Sequence, residues 1–89
     1  MNKSLAAEAL KYTFSDFYQE AILLNGDLVY VHIPTLVKFC QTHNPDKFAQ
    51  LTQNHLREIL PNSKSIYHSG HHKSFRVIAL DKFNQLIEE

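Results

Sequence analysis

Cysteine, glycine and long apolar runs are all scarce in this chain of 89 residues. Cys40 is the sole cysteine, so no internal disulfide can form, and the chain suits a reducing compartment. The two glycines, Gly26 and Gly70, lie far apart and leave no glycine-rich loop to wrap a phosphate. No stretch approaches the roughly 18 consecutive apolar residues that a membrane-spanning helix needs, so no membrane partner is expected. The start of the chain carries Lys3 but no apolar core running into small residues, so it does not read as an export signal and a cytoplasmic protein is expected. Net charge is missing too, because nine Lys and Arg balance nine Asp and Glu.

What is present is enough for one small domain spanning 1–89, with 44% apolar residues and four Tyr and six Phe to build a core. The neutral total hides a division. Residues 1–37 carry net −2 and residues 77–89 another −2, whereas 38–76 carry +4. That middle block holds Lys38, Lys47, Arg57, Lys64, Lys73 and Arg76 against Asp46 and Glu58, together with five of the six histidines. A positive segment in a neutral chain suits an anionic partner, provided its cations share a face.

The order of elements decides whether they do. Leu10, Phe14, Phe17, Ala21 and Leu24 follow a 4-3-4-3 spacing, which predicts one amphipathic helix ended by Asn25-Gly26-Asp27. Thr13 or Ser15 could cap it, with residues 5–12 either the same helix or a separate turn. Leu28 to His32 is rich in β-branched residues and reads as a short strand. Pro34 then suits the first turn of a helix whose apolar face includes Leu36, Val37, Phe39 and Cys40. Asn44 as cap, Pro45 and Asp46 predict a further helix from Asn44 to Leu60, with Phe48, Leu51, Leu56 and Ile59 inward and Pro61 as its stop. Two strands flank a hairpin loop at Ser69-Gly70-His71-His72, and a short helix, with Asp81 as a candidate cap, closes the chain.

Two helices a few residues apart, followed by a β-hairpin to which the short strand adds as a third, predict an α+β fold of the winged helix-turn-helix type. On the helix from Asn44 to Leu60, the outward residues would be Lys47, Gln50, Gln53, Asn54 and Arg57. Gln and Asn match the adenine edge, Arg matches guanine, and Lys with a helix start near Asn44 suits phosphate. The same residues also occur on any solvated helix face. The hairpin would add Lys64, His68, His71, His72, Lys73 and Arg76, placed to follow a phosphate backbone or enter a minor groove. Free imidazoles gain charge below about pH 6.5, so binding would strengthen there and weaken with salt.

Other chemistry fits less well. His68, His71 and His72, with Cys40 and His43, are zinc-ligand types, but adjacent histidines seldom share a tetrahedral site and there is no Cys-x-x-Cys pair, so no metal or other cofactor is expected. Cys40 has no base but His43, and Asp16 with Glu20 reads as a solvated i, i+4 pair, so no enzyme is expected. Tyr30, Tyr67 and Phe75 lie on strands, where exposed rings could stack on unpaired bases and buried ones would serve the core.

A Pro-started helix bearing "FC", a helix ending in "LREILP" and a basic hairpin whose second strand begins "KSFRV" cover about 50 residues. This segment resembles the RFX-type winged-helix domains found at the C-terminal ends of primase-helicases of phages, plasmids, pathogenicity islands and large DNA viruses. The resemblance implies a non-catalytic DNA-recognition module of a replication initiator or helicase, with an ATPase domain or a second copy as further partners. Duplex DNA is favoured over a single strand. The hairpin is His-rich where that family is Arg-rich. The competing reading is a winged helix used for protein docking, which the low charge of the recognition helix favours. The DNA reading requires the helix and the hairpin to present their cations on a common side.

Overall fold

A computed structural model describes residues 5–16, 20–68 and 70–88. Among them, five helices and four strands form an α+β domain in which the helices pack against one face of an antiparallel sheet. Helix α1, Leu5–Ser15, buries Ala6, Ala9, Leu10 and Thr13, a stripe repeating at three and four residues. Thr13 is therefore an interior residue and not a cap. It is fully buried, and its hydroxyl donates to the Ala9 carbonyl at 2.8 Å, within the helix.

The long first helix predicted through Leu24 does not form. Residues 22–25 are strand β1, Ile22–Asn25, paired to β2, Leu28–Val31, with Asn25 opposite Leu28. The turn is Gly26-Asp27, and Gly26 takes φ +61°, so the glycine that seemed to stop a helix closes a hairpin. Ile22 and Leu24 lie on one side of a strand and Leu23 on the other, a period of two that the helical spacing of Ala21 and Leu24 concealed. Phe17 falls outside the described residues.

Helix α2, Ile33–His43, begins with Pro34 in its first turn and buries Ile33, Leu36, Val37, Phe39 and Cys40, as its sequence predicts. The single helix predicted from Asn44 to Leu60 is two. One turn, α3, covers Pro45–Phe48, and α4 covers Gln53–Ile59. Asn44 makes no side-chain cap. Geometry explains the break: on one straight helix Leu51 and Leu60 would point about 180° apart, yet Phe48, Leu51, Leu56 and Leu60 are all buried. Breaking the chain between them buries all four, each contributing about 1.5–3 kcal/mol, against helical hydrogen bonds of about 0.5–1.5 kcal/mol each. Gln41 replaces some of the lost bonds, its Nε2 donating to the Phe48 carbonyl at 3.2 Å and the Leu51 carbonyl at 2.9 Å. Thr52 then starts α4 through a reciprocal cap with His55. The His55 amide donates to the Thr52 hydroxyl at 3.4 Å, and the Thr52 amide donates to His55 Nδ1 at 3.1 Å.

Strands β3, Ser63–His68, and β4, His71–Ala79, form the second hairpin, and α5, Leu80–Glu88, closes the chain. Asp81 is not ahead of α5 as a cap but is its second residue. The sheet order is β1-β2-β4-β3, so β2 does add to the second hairpin. Ile22, Val29, Val31 and Ile78 face the helices and join the core. Tyr30 and Phe75 lie on the other face. Phe75 is nonetheless fully buried there, with the rings of Tyr30 and His32 at 6.4 and 5.4 Å.

Candidate nucleic-acid interface

The second hairpin outruns the sheet. Strand β2 pairs only with Arg76 to Ala79, so residues 71–75 of β4 pair with β3 alone and project as a two-stranded ribbon. His68 stands opposite His71, and Gly70 between them takes φ +83°; Ser69 of the predicted loop lies outside the described residues. His71 and His72 are thus strand residues, not members of the predicted four-residue loop. Between Ile59 and Leu80 the chain has no Asp or Glu, while it carries Lys64, Lys73, Arg76 and three histidines.

Register assigns the side chains to faces. Arg76 lies opposite Val31, so Ser63, Ser65, Tyr67, His72, Ser74 and Arg76 share the helix-facing side. Lys64, Ile66, His71, Lys73 and Phe75 share the other. Lys64 Nζ sits 6.0 Å from the Tyr30 ring centroid on that outer face. The side chain of His68 is outside what the structure describes.

Arg76 ties the ribbon to α4. Its Nη1 donates to the carbonyls of Leu60 at 3.3 Å and Pro61 at 3.1 Å, where the last turn of a helix leaves acceptors without internal partners. Arg76 is therefore a positioning residue for the hairpin. One turn earlier on α4, Arg57 donates from Nη1 to Asn54 Oδ1 and from Nη2 to Gln53 Oε1, each at 3.0 Å. Two of the five guanidinium donors are used and the plane is held. The amide oxygens of Gln53 and Asn54 each accept one of these bonds, and each amide also carries two N–H donors. The trio is a donor cluster. It matches the acceptor edge of guanine or phosphate oxygens better than adenine, whose bidentate partner must also accept. Exposed Glu58 is the one acid on α4.

The remaining cation of the predicted helix lies elsewhere. Lys47 is on α3, its Nζ 3.2 Å from Glu8 Oε1 of α1. Gln50 is in the exposed turn between α3 and α4. The predicted common side for all the cations is therefore not what forms. Arg57 is on α4, Lys64 and Lys73 are on the outer face of the ribbon, Arg76 is committed to the joint and Lys47 is paired with α1. The cause is the break at residues 49–52 together with the period-two alternation of the strands, which puts Arg76 on the side opposite Lys64 and Lys73.

Cys40 is buried, with the Thr13 hydroxyl at 3.3 Å and the Ala9 carbonyl at 3.7 Å from Sγ. Burial pushes its thiol up, and the Thr13 contact offsets part of that. His43 lies with its ring 4.5 Å from that of Phe39. Among the described residues no group of three or more His, Cys, Asp or Glu is placed to hold a metal ion.

The serines and Tyr67 on the helix-facing side were not singled out in the sequence as a row. The pairing of His68 with His71 fixes the register, and alternation along the strands then places them together. No family model, curated protein or solved structure matches the chain.

Proposed function

We propose that this chain is a DNA-binding domain of the winged-helix kind that catalyses nothing itself. In this reading α1, β2, α2, α4 and the β3–β4 hairpin are the core of the winged helix, while β1 and α3 are additions. The observation that carries it is the acid-free ribbon projecting beside α4 and fastened to it by Arg76. A two-stranded ribbon fits a groove of the duplex and meets phosphates on both walls. The helix and hairpin cations do not share one face, so this reading rests on the ribbon, whose lysines stand on one side of it. Lys64, His71 and Lys73 supply one side, and Arg57 with Gln53 and Asn54 supplies donors from α4. The likeness to the RFX-type domains of primase-helicases extends the proposal to a recognition module working beside an ATPase domain.

Fluorescence anisotropy with mixed-sequence duplex DNA tests this. Binding should be measurable at low salt and fall linearly on a log–log salt plot. Arg57→Ala should lower affinity by about 1–3 kcal/mol at a preferred site. Absence of binding at low salt, with a protein captured by the same face, would support docking instead.

A further inference from the structure

We infer that Tyr67 is a stacking site for an unpaired base, so that the chain prefers a duplex bearing a single-stranded extension to a blunt one. This rests on the DNA-binding reading above. Three large hydrophobic side chains are exposed among the described residues, and Tyr67, at 64%, is the most exposed. Leu24 and Leu28 belong to the β1–β2 hairpin, but Tyr67 lies near the end of the projecting ribbon. It is also held. Its cross-strand partner is His72, with ring centroids 5.1 Å apart at 75°. This edge-to-face contact orients the tyrosine and leaves most of it uncovered.

A tyrosine fixed in that way loses little freedom on binding a flat partner. Ser65 and Ser74 share its side of the ribbon and are exposed, placing hydroxyls where the phosphates of a stacked nucleotide would run. The acid-free span from Ile59 to Leu80 favours an anionic partner over a neutral or basic one. Inside a duplex both faces of a base are already stacked. An unpaired base offers its faces to Tyr67 and can splay out to reach it.

The test compares one short duplex, blunt or with a single-stranded DNA tail on either end, using the full chain at one low salt concentration. The tailed form should bind roughly fivefold or more tightly, the lower range for one stacked base. Tyr67→Ala should bring the tailed duplex down to the affinity of the blunt one, and Tyr67→Phe should keep the difference, with thermal melting confirming that both variants fold. Equal binding of tailed and blunt DNA by the wild type, or a tail preference that survives Tyr67→Ala, overturns the inference and leaves the DNA reading intact. Binding of neither form removes both.

Discussion

Cys40 and Thr13 show what a single pair of side chains fixes. The thiol and the hydroxyl lie 3.3 Å apart where α1 meets α2, with both residues fully buried. Burial favours the neutral thiol in the folded chain, so its pKa there is raised. The unfolded thiol ionises first as pH rises, and the native state is then penalised. Stability is thus complete below about pH 8.5 and falls as pH climbs beyond it. Chemical denaturation between neutral and alkaline pH should show a decline in wild type that is smaller in Cys40→Ala. Equal declines would mean that other groups cause it. The same burial predicts slow labelling of the native thiol by a disulfide reagent and rapid labelling once the chain unfolds.

Among the elements, α4 depends most on its ends. Seven residues are too few to hold a helix by propensity, so the Thr52–His55 cap and the burial of Leu56 sustain it. Thr52→Ala should cost about 1 kcal/mol in urea denaturation, within a usual range of about 0.5–2 kcal/mol, and should speed amide exchange in Gln53–Ile59 above that of α2. Uniform loss across the chain, or none, would show that the cap does not govern this helix. How far the elements were legible follows from the same physics. Strand β2, helix α2 and the strands of the second hairpin carry local signals: β-branched residues, a proline in the first turn, a Ser-Gly turn. Strand β1 does not, because Ile22-Leu23-Leu24 fits either period and only pairing with Val29 to Val31 decides. The break at residues 49–52 lies in a segment of good helix formers. The bonds from Gln41 that support it come from another element, although Thr52 was a readable cap.

For the whole molecule, the sequence places positive charge in the middle block but cannot orient it. Facing depends on the register of one hairpin and the position of one helix break. The result is a ribbon with cations on one side and hydroxyls and Tyr67 on the other, joined to α4 by Arg76. Arg57 with its two amides provides the polar cluster on the helix itself. The central claim is that ribbon and helix meet nucleic acid together. Backbone amide shifts followed by NMR during titration with a short tailed duplex test it most directly. The changes should concentrate in Gln53 to Glu58 and in Lys64 to Ser74, and Lys82→Ala on α5 should leave them as they are. Changes confined to α2 or α5, or none at saturating DNA and low salt, would contradict it.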